Sequence, residues 1–144
     1  MANIVNCLKI MTTVVFFRCL AIWLLMVVLE TIHGIVRQRF LAPTWGDLPA
    51  RQIGVVIGSS FILLIAFFSY EWIGARSVKQ QLTVGALWVT LMVGFEIGLG
   101  LLLGMSSERL LSDYNIAKGG YMSLGLVVLW LSLTLVSKFR SRDA

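Results

Sequence analysis

Four stretches of this chain, about 12 to 37, 52 to 71, 82 to 104 and 119 to 137, are each apolar and long enough to cross a bilayer. At about 1.5 Å of rise per residue, some 20 helical residues span a hydrocarbon core of about 30 Å. Backbone N–H and C=O groups inside such a core must be satisfied within their own segment, so the stretches are predicted to be helices. Composition agrees: with 58% hydrophobic residues, 13% charged residues and a mean hydropathy of +0.90, a chain of 144 residues has too much apolar surface for a soluble domain. The connections are short, and both prolines lie in "PTWGDLP" at 43–49. The expectation is one all-α membrane domain over 1–144, a bundle of four transmembrane helices.

Lys9 followed by "IMTTVVFF" has the look of a signal-peptide start, but Arg18 interrupts the run and no small-x-small site follows. An uncleaved first span is expected. Cys7 and Cys19 on one helix would stand roughly 18 Å apart, too far for a mutual disulfide. Basic residues set the orientation. Lys9, Arg18, Arg76, Lys79, Lys138, Arg140 and Arg142 fall on the side of the termini, and Arg37, Arg39, Arg51, Arg109 and Lys118 on the other. This bias and the basic tail "SKFRSRDA" predict both termini in the cytoplasm, and small size suits the inner membrane of a bacterium. The net charge of +5 is then a collar near lipid head groups, with no nucleic acid required.

In that topology the unusual polar groups gather in the outer half. Glu30, His33 and Arg37 end the first span, Arg51 and Gln52 open the second, and Glu96 lies in the third. Glu108, Arg109, Asp113 and Tyr114 follow on the outer surface. At about 100° per residue, Trp23, Met26, Glu30, His33, Gly34 and Arg37 share one stripe. A charge facing lipid costs on the order of 3 kcal/mol, so the stripe is expected to face the bundle interior or an aqueous cavity.

"LMVVLETIHG" (25–34) and "LMVGFEIGLG" (91–100) agree at Leu, Met, Val, Glu and Gly, which aligns Glu30 with Glu96. The two carboxyls lie at one depth, and the halves of the chain form a candidate parallel repeat of two helical hairpins with a site between them. Gly54 with Gly58, Gly94 with Gly98 and Gly100 with Gly104 are small-xxx-small pairs that predict close helix contacts. Trp45, Tyr114 and Tyr121 at one end, and Tyr70 and Trp72 at the other, predict aromatic belts. "SSERLLSDYN" (106–115) reads as a short surface helix placed to cover the polar site.

Four functions compete for the polar cluster. In the first, Glu30 and Glu96 pair with Arg37 and Arg51, His33 joins the network, and the chain is an accessory or scaffold protein. Its partners are then the lipid bilayer and a second membrane protein or a second copy of itself. In the alternative, Glu30 and Glu96 exchange a proton for a small solute or ion, with His33 as relay. The small multidrug transporters also use four short spans and a membrane glutamate. This chain departs from them in carrying its first-span glutamate near the outer end, among arginines, and no kinship follows. In the third, the Glu30-x-x-His33 spacing is that of ligands in di-iron bundles, but one chain supplies too few ligands and Arg37 would repel a metal. Neither a metal nor a resident cofactor is predicted. Enzyme chemistry has the least support: Ser59 and Ser60 lack a paired base, and no phosphate-cradling loop is present.

Overall fold

The computed structural model describes residues 13–142. Helix α1 (Thr13–Val36) continues through a π-helical turn at Arg37–Leu41 into the short α2 (Ala42–Trp45). Then come α3 (Asp47–Ile73), α4 (Val78–Leu102), α5 (Ser107–Tyr114), a 3-10 turn at Ile116–Lys118 and α6 (Met122–Arg142). Among the described residues there is no strand, and four helical segments are long and apolar enough to cross a membrane: Thr13–Trp45, Asp47–Ile73, Val78–Leu102 and Met122–Arg142. The expected all-α four-helix membrane bundle is the observed architecture, with bilayer placement resting on composition. Cys7, Lys9 and the first residue of the expected first span lie outside the described residues.

The span ends differ from expectation by a few residues, most informatively at "PTWGDLP", which is helical almost throughout. A proline ring lacks an N–H and collides with the carbonyl four residues back. Ahead of Pro43 the ladder widens, and the Ala42 N–H donates to the Arg37 carbonyl five residues away. Pro49 falls in the first turn of α3, where its missing N–H is no loss. Only Gly46 interrupts the path, at φ 89° and ψ 159°, a conformation essentially confined to glycine. The start of α4 moves to Val78 because Ser77 and Gln80 form a capping box, the Ser77 Oγ accepting from the Gln80 N–H at 3.2 Å.

Around the bundle the order is α1, α3, α6, α4. The most extensive contact is α3 with α6, followed by α4 with α6 and α1 with α3, while α1 and α4 barely touch. The core holds Met26, Trp88, Leu129 and Leu133, all fully buried or nearly so. The Trp88 indole donates to the Cys19 carbonyl at 2.9 Å, which ties α1 to α4 below the loose seam. Gly85 lies directly against the backbone of Trp130, so α4 and α6 cross there with no side chain between them. Several hydroxyls inside the spans bond back to their own helix, as Thr31 does to the Val27 carbonyl at 2.7 Å and Ser69 to the Ile65 carbonyl at 2.6 Å. At the end that holds Thr13 and Arg142, Arg18 donates to the Trp72 carbonyl at 2.7 Å and Arg140 pairs with Glu71 at 3.0 Å. At most 28% of the apolar stretch of any span is buried within the bundle, so the remaining apolar surface needs lipid or another chain against it.

Candidate functional site

At the end of the bundle away from Thr13 and Arg142, the loose seam between α1 and α4 opens into a cavity of about 820 Å³. Glu30, His33 and Arg37 reach it from one face of α1 and its π-helical turn, and Glu96 reaches it from α4. Ile62, Met92 and Leu129 close its inner end, and α5 lies across its mouth. The expected stripe on α1 is therefore the observed one: Met26 is in the core, and Glu30, His33, Gly34 and Arg37 line the cavity.

The two glutamates have unlike partners. Glu30 Oε2 lies 3.5 Å from His33 Nδ1, whereas Glu30 Oε1 and His33 Nε2 are buried with no hydrogen-bond partner among the described residues. Glu96 Oε2 accepts from the Tyr114 hydroxyl at 3.0 Å. Burial, with the Glu96 carboxylate beside it, pushes the Tyr114 phenol above its usual range, so it remains a donor. Position 99, which aligns with His33, is a leucine, and the partner of Glu96 comes instead from α5.

Nearer the mouth, Asp47, Arg51, Arg109 and Asp113 form a closed ring of ion pairs. Arg51 Nε meets Asp47 at 3.1 Å, Arg109 meets Asp47 at 3.2 Å and Asp113 at 2.9 Å, and Arg51 also bonds to Asp113. The ring clasps the first turn of α3 to α5. The serine expected to start α5 does so, since Ser106 Oγ accepts from the Arg109 N–H at 3.3 Å.

The pairing of Glu30 and Glu96 with Arg37 and Arg51 does not form. Once α3 begins at Asp47, that residue stands one turn before Arg51, and α5 delivers Asp113 to the same guanidinium. Asp47 is the member sequence reasoning missed, because its i, i+4 relation to Arg51 shows only when "GDLPARQ" is read as helical. Arg37 packs over Gly54, and among the described residues no carboxylate lies within ion-pair distance of it. Tyr114, expected in an aromatic belt, turns inward to Glu96, while Trp45 and Tyr121 are exposed. Glu108 is exposed and does not line the cavity. Gly54 and Gly58 face the side chains of Arg37 and Glu30, not a neighbouring backbone, and Gly94 and Gly98 have nothing beside them. Among the described residues no three of His, Cys, Asp and Glu converge as metal ligands.

Comparison of the chain with protein-family models, with curated proteins and with solved structures finds no match.

Proposed function

We propose that this chain is a membrane-embedded binding protein whose cavity between α1 and α4 takes a small molecule, with Glu30 and Glu96 as its acceptors. The observation that carries the reading is the pair of buried polar atoms at the wall of the cavity, Glu30 Oε1 and His33 Nε2, that find no hydrogen-bond partner among the described residues. Buried polar groups are nearly always hydrogen-bonded, and leaving one unmet costs about 1–3 kcal/mol. The ion pairs of Asp47, Arg51, Asp113 and Arg109 close on one another, so that Arg51 Nε, itself short of a hydrogen bond, still has the Asp47 carboxylate at 3.1 Å, whereas Glu30 Oε1 and His33 Nε2 have no such counterpart among the described residues. The accessory or scaffold role draws less support from these groups for that reason.

Proton-coupled transport is the second reading, favoured by two carboxyls in one cavity with a histidine beside one of them. Fully buried Met26, Trp88 and Leu129 lie between the cavity and the opposite end, so a transport cycle has to part them. In either reading the chain sits in the cytoplasmic membrane of a bacterium with both termini inside and the cavity facing outward. The hairpins α1–α3 and α4–α6 meet mainly through α3 and α6, an arrangement compatible with a parallel repeat of one hairpin about an axis along the membrane normal.

The test is to purify the full chain gently, beside a Glu30→Gln, Glu96→Gln form, and compare the small molecules each carries by mass spectrometry. A compound held by the native chain and lost from the double variant supports the site. Identical extracts from two folded proteins overturn it.

A further inference from the structure

Resting on that binding reading, we infer that the ligand is a zwitterion, with its cationic nitrogen held by Glu30 and Glu96 and its anionic group by Arg37. The wall of the cavity is divided by charge along its depth. The deeper part carries Glu30 and Glu96, with the His33 imidazole beside Glu30. At the mouth, Arg51 and Arg109 are matched by Asp47 and Asp113 in the ring, which leaves Arg37 as the arginine of the cavity wall with no ion-pair partner among the described residues. Arg37 follows Glu30 by seven residues, two turns on one face, or roughly 10 Å along the helix before the side chains reach toward each other.

A simple cation entering this space satisfies the carboxylates but passes Arg37 and leaves it unmet. A simple anion satisfies Arg37 but meets two carboxylates. A short frame with an ammonium at one end and a phosphate or carboxylate at the other satisfies both poles through charge-assisted hydrogen bonds. The shape of the opening indicates where such a frame comes from. Ile35 of α1 and Ile97 of α4 both line the cavity and are 63% and 38% exposed, so the slot between the helices opens sideways, where acyl chains would lie. A zwitterionic lipid head group can enter there with its chain outside, and a free zwitterion can enter through the mouth.

The experiment measures binding to the intact purified chain of four probes: lysophosphatidylethanolamine, lysophosphatidylglycerol and an alkylammonium of matched chain length, and free phosphoethanolamine. The expected result is lysophosphatidylethanolamine binding about tenfold or more tighter than either singly charged amphiphile. Glu30→Gln with Glu96→Gln is expected to abolish the preference over lysophosphatidylglycerol, and Arg37→Met the preference over the alkylammonium. Displacement of the lysolipid by free phosphoethanolamine at comparable affinity supports the class with a soluble source, and failure of that displacement supports it with a lipid source.

If either singly charged amphiphile binds the native chain as tightly as the zwitterion, and the substitutions still alter its binding, the zwitterion assignment is overturned while the site stands. If all probes bind alike and no substitution changes them, the binding reading itself fails. The comparison among probes uses the native chain alone, so it decides the ligand class even if a variant does not fold.

Discussion

Both carboxylate oxygens of Glu30 rest on Gly58, 2.8 and 2.9 Å from where a Cβ on that glycine would stand. Arg37 rests in the same way on Gly54, its Cδ at 2.7 Å from the Cβ position. Helix α3 thus presents a bare strip of backbone beneath the charged stripe of α1. The small-xxx-small spacing makes room here for polar side chains, where in many membrane proteins it lets a second backbone approach.

This relationship predicts that Gly58→Ala changes the site more than the fold. The obstructing atoms are the end of a flexible side chain, and alanine is favoured over glycine in a helix by about 1 kcal/mol. Thermal unfolding in detergent should show a net change within about 1 kcal/mol. The rate at which an apolar carbodiimide modifies Glu30, read by peptide mass spectrometry, should change several-fold as the carboxyl is displaced. A large loss of stability with an unchanged modification rate would place the close contact elsewhere.

The ion-pair ring predicts an order of effects. Asp113→Ala removes a carboxylate shared by Arg51 and Arg109, and the Arg51 side chain is only 18% exposed, so the loss should be about 1–3 kcal/mol. Asp47→Ala removes a carboxylate that is 48% exposed, and water screens it, so the loss should stay below about 1 kcal/mol. Amide hydrogen exchange over 107–114 should quicken in Asp113→Ala, because α5 loses its clasp to α3. Equal losses in the two variants, with no change in exchange, would mean that the ring does not hold α5.

Two glycines in α4 should respond with opposite sign. A Cβ at Gly85 collides with the Trp130 carbonyl, a backbone atom that moves only if the α4–α6 crossing moves, so Gly85→Ala should cost about 1–3 kcal/mol. Gly94 has no atom within 4 Å of its Cβ position, so Gly94→Ala should be neutral or stabilise by up to about 1 kcal/mol. Parallel unfolding curves for the two variants decide the matter, and a Gly94→Ala loss as large as that of Gly85→Ala would show that a second chain packs on the Gly94 face.

The proposed orientation predicts the sidedness of labelling. With Cys7 and Cys19 replaced by alanine, single cysteines at Thr44 and Ser77, both exposed and at opposite ends of the bundle, should react with an impermeant maleimide from opposite sides of the membrane. Thr44→Cys should label in intact cells and Ser77→Cys only after the cells are opened. The reverse pattern would put the cavity on the cytoplasmic side.

Sequence alone determined the four long apolar helices and the face of the α1 stripe. These depend on quantities summed along one segment: hydropathy over about 20 residues, and an angle of about 100° per residue. The short helix at 107–114 was legible for the same reason, since a serine cap is a local signal. The same alignment that set Glu30 beside Glu96 also placed both on one cavity, because equal depth on two parallel spans leaves only their rotation to be settled.

Only the tertiary structure decided which groups pair. Arg51 and Asp113 are 62 residues apart, Glu96 and Tyr114 are 18 apart across a turn, and neither pair leaves a trace in local composition. The glycines show the limit most clearly. Gly58, Gly85 and Gly94 are alike in sequence as small residues in apolar helices, yet one cradles a carboxylate, one meets a backbone and one faces open space. What surrounds a residue depends on the rotation and crossing of helices packed together from distant parts of the chain, and a reading confined to one segment does not contain that information.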